Sequence, residues 1–324
     1  LNEDVNEEWI SDKTRFVADG LKTQRLDQPY VRSNGTLQPA SWDEAFAAIA
    51  AKLKDAKGER IAAIAGDLVA AEEMKALKDL FTALGSPNID CRQDGAKIGG
   101  ARSSYIFNTT ITGIEDADAI LIIGSDPRKE APILNARIRK RSRVGGLKVG
   151  VIGPRVDLTF DYDHLGAGTD TLKSLASGGG FADVLKNAKS AMIIVGQGAL
   201  TRADGAAVLA AVVALAKSTG ASFNMLHTAA ARVAGLDLGL VPDAGGRDVA
   251  GILDGAAKGE IDVVYLLGAD EIDTDKLGSA FVIYQGTHGD KGAHRADVIL
   301  PGAAYTEKDG LYANTEGRVQ RGNR

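Results

Sequence analysis

The sequence predicts an α/β fold of two doubly wound, mostly parallel sheets, and three observations lead to that prediction. Short apolar runs recur along the 324 residues, and most end in a glycine that a polar turn follows. The runs are apolar at consecutive positions, which is typical of strands buried on both faces of a parallel sheet. Segments with helical periodicity separate most of the runs, and this alternation predicts strand–helix–strand units.

The predicted elements follow one another along most of the chain. The predicted strands are residues 61–66, 119–124, 149–153, 191–196, 263–268, 281–286 and 297–300. The predicted helices between them are residues 70–84, 131–143, 205–217 and 228–234. The strands do not recur at a fixed period, so a solenoid is not expected.

A small hairpin and a capped helix are predicted before the first of these strands. Residues 31–37 surround an Asn34-Gly35 pair, which favours the tight turn of a hairpin. Ser41 is a candidate N-cap, and Glu44, three residues later, completes a capping box. The helix that begins there is expected to bury one apolar face, formed by Phe46, Ile49, Ala50 and Leu53.

Residues 118–154 are the central strand–helix–strand unit of the prediction. Gly124 ends its first strand and is followed by Ser125, Asp126 and Pro127. Glycine lets the backbone approach a ligand and the following helix offers free N–H groups, so this turn is a candidate phosphate cradle. Residues 196–198 and 268–270 are similar candidates. The competing interpretation is that glycines end the strands of such folds without any ligand, and no turn matches the dinucleotide fingerprint or the P-loop.

The composition is that of an ordinary globular protein. Hydrophobic residues make up 44% and charged residues 25%, and the length suggests about two domains. The 38 basic and 43 acidic residues give a net charge of −5, which argues against a nucleic-acid binder. No apolar run approaches the ~20 residues of a membrane span. The chain starts without a signal peptide and stops in a loop-like stretch, so we expect it to be part of a longer gene product.

The cysteine and histidine residues do not have the spacing that is typical of a metal-binding site. Cys91 is the only cysteine, which excludes a disulfide framework within the chain and a cluster held by its cysteines alone. Cys91 itself is expected to be a small core residue. His288 and His294 lie near Asp290, but their spacing lacks the i, i+4 relation of a helical ligand pair. We therefore expect surface or hydrogen-bonding roles for these histidines.

Two clusters of charged residues are also candidates for a functional role. Asp161 and Asp163 have no neighbour that would make them a general acid–base pair. A basic run lies toward the end of the predicted helix 131–143, where the helix dipole favours cations. It is expected to be solvated, with docking of an acidic partner as the alternative, and its members are Arg137, Arg139, Lys140, Arg141 and Arg143. The residues alone indicate no catalytic constellation.

Three stretches together resemble the molybdopterin oxidoreductase superfamily, and the resemblance covers essentially the whole chain. The first is the segment 6–32 with Ser41-Trp42-Asp43-Glu44-Ala45, including Lys13, Arg15, Arg25-Leu26 and Pro29. The second is the central unit with its turns 124–127 and 153–155. The third and most specific comprises residues 296–301, Glu307-Lys308-Asp309-Gly310 and 314–320.

Within that superfamily, the chain is similar to the large iron–sulfur subunits of respiratory complex I, closest to the alphaproteobacterial and mitochondrial form. Long, uncommon strings carry this similarity in the same order along the chain. They are residues 4–16, Asn108-Thr109-Thr110-Ile111, 131–139, 284–290 and 301–308.

Departures from the catalytic relatives bear on the metal site. Relatives such as formate dehydrogenase place a cluster-ligating cysteine just before the lysine of the leading segment, where this chain has Ser11. They place a molybdenum ligand shortly after an arginine like Arg92, where this chain has Gln93 and Asp94. Asp94 could ligate a metal in principle, so this position alone does not exclude one.

The resemblance implies two α/β domains of the molybdopterin oxidoreductase type, one inserted in the other. The expected boundaries are a leading segment with a small hairpin at 1–40, an outer domain at 41–92 and 172–314, an inserted domain at 93–171, and a truncated tail at 315–324. The cofactor-binding turns of relatives would then persist in vestigial form, without catalytic or metal-binding residues. Those turns carry Gly124, Ser125, Asp126, Gly153, Arg155, Gly196 and Gly198.

The implied function is a scaffold in the peripheral arm of complex I. The intact subunit would relay electrons from NADH to quinone through [2Fe-2S] and [4Fe-4S] clusters, held in a region before Leu1. This chain would hold no cofactor, would contact other peripheral-arm subunits, and would neither bind nucleic acid nor insert into the membrane. The complex would lie on the cytoplasmic face of the bacterial inner membrane, equivalent to the mitochondrial matrix side.

Two rival functions come from other classes. An active molybdopterin enzyme, such as a formate dehydrogenase, would use the turns at Gly124 and Gly196 to bind the guanine dinucleotide ends of its cofactor. A generic nucleotide-binding regulator would bind nucleotide saturably at the same turns.

Overall fold

The structure, a computed structural model, describes residues 2–324, so Leu1 of the predicted leading segment lies outside the described residues. The strands are β1 (Tyr30–Ser33), β2 (Thr36–Pro39), β3 (Ile61–Ala65), β4 (Asn88–Asp90), β5 (Ala119–Ile123), β6 (Lys148–Ile152), β7 (Asp163–Gly166), β8 (Ala191–Val195), β9 (Ser222–Met225), β10 (Val263–Leu267), β11 (Phe281–Gly286), β12 (Val298–Pro301), β13 (Gly310–Ala313) and β14 (Val319–Gly322).

The helices alternate with these strands. The α-helices are α1 (Asp12–Phe16), α2 (Trp42–Leu53), α3 (Ala71–Ala83), α4 (Pro127–Glu130), α5 (Pro132–Val144), α6 (Thr169–Ala176), α7 (Phe181–Asn187), α8 (Gln197–Leu200), α9 (Gly205–Thr219), α10 (Arg232–Asp237), α11 (Val249–Ala257) and α12 (Lys291–Arg295). Short 3₁₀ helices span Val17–Lys22, Gly58–Arg60, Arg102–Ser104, Thr112–Asp116 and Thr274–Leu277.

The chain divides into two compact units, one interrupting the other. The five-stranded unit comprises residues 2–16, 96–228 and 315–318, and the seven-stranded unit comprises residues 17–95, 229–314 and 319–324. The predicted boundary of the inserted domain at residue 171 is wrong. The strands β8 and β9 follow that residue but lie in the sheet of the five-stranded unit, because β8 pairs with β5 and β9 pairs with β8.

The five-stranded unit is built on a wholly parallel sheet in the order β7-β6-β5-β8-β9. Every residue of β5 is buried, which explains its uninterrupted apolar sequence. The chain passes from β5 through α5 to β6 on one side, whereas β8 joins β5 on the other side. The carboxyl ends of β5 and β8 therefore form the topological switch point of this sheet, where open α/β sheets bind ligands.

The seven-stranded unit has the order β2-β1-β12-β11-β10-β3-β4. Strands β12, β11, β10, β3 and β4 are parallel, and β1 joins β12 in the antiparallel direction. The switch point of this sheet lies between β3 and β10. Most residues of β10 and β11 are buried, and one face of the two strands shares an apolar core with α11. The α/β fold with mostly parallel sheets is thus confirmed.

Two local predictions near the N-terminus are confirmed, and a third is wrong. β1 and β2 form the hairpin around Asn34 and Gly35, and Ser41 and Glu44 form both hydrogen bonds of the capping box. The expected apolar face of α2 is buried only in part, since Ile49 and Leu53 are half-buried whereas Phe46 is 51% exposed. Ala45 is the one fully buried residue of α2, and the aromatic residues Trp42 and Phe46 are exposed.

The stretch at the end of the chain, predicted to be loop-like, contains the strand β14. β14 pairs with β13 in an antiparallel hairpin, and Arg324 donates its backbone N–H to Asp309. No apolar run marks this hairpin in the sequence, because β14 alternates exposed and half-buried residues. This end of the chain is therefore held by backbone hydrogen bonds rather than by burial.

Candidate functional site

The turns that follow β5 and β8 touch one another at the switch point of the five-stranded unit. Gly124 has a positive φ of 61°, a conformation that favours glycine. A Cβ built on Gly196 would lie 2.5 Å from the Cβ of Ser125, and one on Gly198 would lie 2.8 Å from the carbonyl oxygen of Gly124. These glycines therefore permit close contact between two turns of the chain, which accounts for them without a ligand.

Polar groups in the turn after β5 are largely satisfied within the turn. The Ser125 hydroxyl donates to one oxygen of Glu130 at 2.6 Å, and the Asp126 N–H donates to the other oxygen at 3.0 Å. Lys129 pairs with Asp126 across 3.7 Å. A carboxylate thus takes the hydroxyl and N–H donors that a phosphate would use, and one Asp126 oxygen stays buried without a hydrogen-bond partner.

The turn after β6 is organised by its neighbour β7. The Gly153 N–H donates to the Gly166 carbonyl at 2.9 Å, and the Gly153 carbonyl lies 2.8 Å from Nε2 of His164. Arg155 is exposed to solvent. Of the predicted vestigial site residues, the structure brings together Gly124, Ser125, Gly196 and Gly198. Gly153 lies beside them, since a Cβ built on it would be 3.9 Å from the backbone nitrogen of Gly124.

The dinucleotide cofactor that the fold family implies fits these turns poorly. Its phosphates are anionic, and the donors of Ser125 and Asp126 already bind the carboxylate of Glu130. Arg128, the nearest arginine in sequence, pairs with Asp157. An added anion would therefore meet a carboxylate rather than free donors.

The seven-stranded unit contains a cavity of about 480 Å³ at the carboxyl ends of β3, β10, β11 and β12. The turns after β3 and β10 approach closely here, since a Cβ on Gly66 would lie 1.8 Å from the carbonyl oxygen of Gly268. The turn 268–270 is one of the candidate phosphate cradles of the sequence. The structure makes it part of the cavity wall, together with residues distant in sequence.

Carboxyl groups dominate the chemistry of this cavity, and those of Asp67 and Asp270 are half-buried. Burial raises the pKa of Asp67, and nearby Asp94 and Glu271 raise it further against the lowering effect of Arg232. Burial also raises the pKa of Asp270, with Asp290 adding to the effect. Such a lining disfavours phosphate as well.

Tyr284 and Gln93 add two polar groups to the cavity wall. Burial and the negative charges of Asp270 and Asp290 raise the pKa of the Tyr284 phenol, whose hydroxyl lies 3.5 Å from Asp270. Gln93 is 6% exposed, and its Oε1 has no hydrogen-bond partner. Asp67 and Tyr284 were not among the predicted site residues. Asp67 could have been found, because it follows the strand-ending Gly66, as Asp270 follows Gly268 two positions later.

Asp94, which could in principle ligate a metal, and Cys91, the expected core residue, both have structural surroundings. Asp94 forms an ion pair with buried Arg232 at 2.9 Å, so its carboxylate is already matched with a cation. Cys91 is 2% exposed, and burial raises the pKa of its thiol to about 12. Among residues 2–324, no group of three or more His, Cys, Asp or Glu side chains is arranged to hold a metal ion.

The predicted histidines take hydrogen-bonding or surface positions. Nε2 of His288 lies 2.9 Å from the carbonyl of Gly20, and its Nδ1 lies 2.7 Å from the hydroxyl of Thr287. His294 is exposed. Ser11, which the resemblance places where catalytic relatives have a cluster cysteine, accepts the N–H of Thr14 with its hydroxyl at the start of α1.

One member of the predicted basic run is buried rather than solvated. Arg137 is 3% exposed, and its guanidinium contacts the carboxylates of Glu7 and Glu115. The same guanidinium donates to the backbone carbonyls of Glu3 and Asn6. These contacts bind the N-terminal segment to helix α5 within the five-stranded unit. The pairing could not be predicted because Arg137 and Glu7 are 130 positions apart (137 − 7).

No helix among residues 2–324 is both long and apolar enough to cross a membrane. The apolar helix α9, for example, has 15 residues.

Family models match nearly the whole chain. The model described as "Molybdopterin oxidoreductase" matches residues 25–324. The model of the NADH-ubiquinone oxidoreductase NDSU1/NuoG-like 4Fe-4S domain matches residues 1–19. The boundary between the two matches thus falls just after α1.

Curated relatives are similar over almost all of the chain. The mitochondrial NADH dehydrogenase [ubiquinone] iron-sulfur protein 1 of Solanum tuberosum is 48% identical over 99% of this chain and 43% of its own length. A subunit of the NADH-quinone oxidoreductase of Rickettsia felis is 48% identical over 99% of this chain and 47% of its own length. The chain spans about half the length of the curated relatives it matches.

Solved structures share the fold at low sequence identity. Acetylene hydratase from Pelobacter acetylenicus superposes with a TM-score of 0.68 and 16% identity, over 95% of this chain and 59% of that chain. The formyltransferase/hydrolase complex from Methylorubrum extorquens contains a chain with a TM-score of 0.65 and 20% identity, covering 91% of this chain and 92% of that chain. These likenesses concern the fold alone.

Proposed function

The chain belongs to the molybdopterin oxidoreductase family, and from that membership we propose that it is a non-catalytic scaffold within the large iron–sulfur subunit of respiratory complex I. The observation that carries the proposal is 48% identity to the Rickettsia felis NADH-quinone oxidoreductase protein over 99% of the chain. An identity this high over 99% of the chain supports the same role in the same assembly. The intact protein would relay electrons from NADH toward quinone.

The redox groups of the complete protein would lie outside this chain. Iron–sulfur clusters are held mainly by cysteine thiolates, and the chain has one cysteine, which is buried. Residues 1–19 match part of a 4Fe-4S domain, so the [2Fe-2S] and [4Fe-4S] clusters would belong to a preceding region. Arg137 would hold the junction to that region against α5, because it binds the segment 2–16.

Several contacts support a vestigial cofactor site. The donors of Ser125 and Asp126 bind Glu130, and Asp94 is paired with Arg232. Ser11 caps a helix instead of ligating a cluster. Each of these groups has a structural partner within its own unit, which is what a site retained only for packing requires.

The partners and location follow from the same proposal. The chain would pack against other subunits of the peripheral arm and would bind no nucleic acid. As part of the membrane-bound complex, it would lie on the cytoplasmic face of the bacterial inner membrane, or on the matrix side in mitochondria. It would reach the membrane through other subunits rather than by insertion.

Substitution of the vestigial turn tests the proposal in the intact complex. In a strain whose own gene is deleted, the complete gene is supplied with Asp126→Asn, and NADH:quinone oxidoreduction is measured in membranes. For a scaffold we expect activity within about twofold of the wild type. Arg137→Met is the matched control, and we expect it to lower activity through loss of the protein from the membranes. Loss of activity in Asp126→Asn at normal protein content would contradict the proposal, as would formate oxidation that depends on Asp126.

A further inference from the structure

We propose that the cavity of the seven-stranded unit binds a small organic cation, an amine or amidinium with an apolar body. The cavity has a volume of about 480 Å³, within the range typical of small-molecule sites. It opens at the carboxyl ends of β3, β10, β11 and β12, beside the switch point of the sheet. Both its size and its place are those of a ligand site in an open α/β fold.

The walls supply apolar contact for the body of such a ligand. Leu68, Val69 and Leu267 line the cavity, together with the ring of Tyr284. Apolar walls with a few polar groups are the usual composition of a small-molecule site. A bare metal ion would instead need a shell of oxygen ligands, and no suitable cluster exists among residues 2–324.

The charges of the lining select a cation. Five acidic residues line the cavity: Asp67, Glu73, Asp270, Glu271 and Asp290. Lys308 also lines it, but its ammonium pairs with Glu73 at 2.5 Å. Of the other four, Glu271 and Asp290 are exposed to solvent, whereas Asp67 and Asp270 are half-buried. The nearest cation to Asp67 is the guanidinium of Arg232, 4.0 Å away. A bound cation would supply the missing positive charge, whereas an anion would be repelled.

Gln93 provides an independent indication that a hydrogen-bond donor is missing. Its side chain is almost fully buried at the cavity wall, and its Oε1 accepts no hydrogen bond. One oxygen of Asp67 is likewise buried without a hydrogen-bond partner. Buried acceptors of this kind are costly unless a donor reaches them. An amidinium or ammonium at this wall would bring N–H donors to Gln93 and Asp67, which both line the cavity.

The raised pKa values of the carboxyl groups agree with this assignment. Burial raises the pKa of both Asp67 and Asp270, which means that their negative charge is unfavourable in the ligand-free cavity. A cation placed between them would remove part of that penalty. Replacing Asp270 by asparagine would also remove it, so Asp270→Asn should fold at least as stably as the wild type while losing affinity.

Three probes of one shape separate charge from size. Benzamidine is cationic, benzamide is neutral and benzoate is anionic, and all carry the same aromatic body. Isothermal titration calorimetry on the chain should show saturable binding of benzamidine, at least tenfold weaker binding of benzamide, and no binding of benzoate. Guanosine monophosphate, an anionic nucleotide, should not bind. Equal affinity for the three benzene derivatives, tighter binding of either anion, or the absence of saturable benzamidine binding would overturn the proposal.

Variants then locate the site. Asp270→Asn should weaken benzamidine binding by about tenfold or more, because one charge-assisted hydrogen bond is lost. Gln93→Leu should weaken it by a smaller factor. Asp254→Asn is the matched control in the same unit, since Asp254 lies on α11, pairs with Lys258 and does not line the cavity. Thermal unfolding verifies that each variant is folded. Unchanged affinity in a folded Asp270→Asn variant would place the probe elsewhere and refute the site.

Discussion

Replacing Arg137 with methionine should destabilise the five-stranded unit by about 3 kcal/mol. The Arg137 side chain is buried, and its Nε lies 3.4 Å from the carboxylate of Glu7, which is buried as well. Removal of one partner from a buried ion pair costs about 3–5 kcal/mol, because the other charge stays buried and uncompensated. Methionine fills much of the aliphatic volume, so little cavity energy is added.

The lower end of that range applies because Glu7 keeps a second cation. Lys140 lies 2.8 Å from the Glu7 carboxylate, and its exposed position weakens but does not abolish the compensation. The Glu3 and Asn6 carbonyls lose the guanidinium as a donor. Glu3 is exposed, so water can replace the lost donor there. The predicted cost is therefore dominated by Glu7.

Hydrogen exchange with mass spectrometry is the appropriate assay, since a chain of two units need not unfold in one step. Peptides of the five-stranded unit, and residues 2–10 most of all, should lose protection in Arg137→Met. Arg139→Met, an exposed residue on the same helix, should change stability by less than about 0.5 kcal/mol. The double variant with Glu7→Gln should recover about 1–3 kcal/mol relative to additivity. Equal effects of Arg137→Met and Arg139→Met would refute the reasoning.

Three further predictions concern single residues. Gly196→Ala should lower the free energy of unfolding, measured in urea, by about 1–3 kcal/mol, because its Cβ would overlap the turn after β5. The control Gly168→Ala has negative φ and open space around its Cβ, so it should change that free energy by less than about 1 kcal/mol. Equal effects of the two substitutions would contradict this. The hydrogen bond from Arg25 lowers the pKa of Glu307 from 4.5 to about 2, so its contribution to stability is complete above pH 4.5 and is lost as the pH falls through 2. An NMR titration should show that pKa and its return toward 4.5 in Arg25→Gln, and an unchanged value would disprove the pairing. Burial raises the pKa of the Cys91 thiol to about 12. Cys91 should therefore resist a thiol reagent at pH 8 in the folded chain and should react after the chain is unfolded in urea. Rapid reaction of the folded chain would rule out its core position.

The buried strands could be predicted from the sequence because burial on both faces leaves an uninterrupted apolar run. β3 and β5 are buried at every position, and β10 is nearly so. The strands that were missed between the predicted elements, β4, β7 and β9, are short and lie at the edges of their sheets. Edge strands carry polar residues such as Asn88 and Asn224, so they lack the apolar run on which the prediction depends.

The domain boundary and the cavity depend on contacts between residues far apart in sequence. Pairing of β8 with β5 decides which unit receives residues 172–228, and no local signal marks that choice. The cavity likewise gathers Asp67, Gln93 and Asp270 from separate segments. The strand-end glycines of the five-stranded unit could be found from the sequence, but their role in turn-to-turn contact required the coordinates of both turns.

Molybdenum and iron content tests the central claim most directly. The complete protein, purified as the cell makes it, is analysed by inductively coupled plasma mass spectrometry, and its extract is examined for pterin fluorescence. For a scaffold we predict iron from the clusters of the preceding region, with neither stoichiometric molybdenum nor pterin. About one molybdenum atom and a pterin dinucleotide per polypeptide would contradict the proposal, and would assign the turns at Gly124 and Gly196 to a working cofactor site.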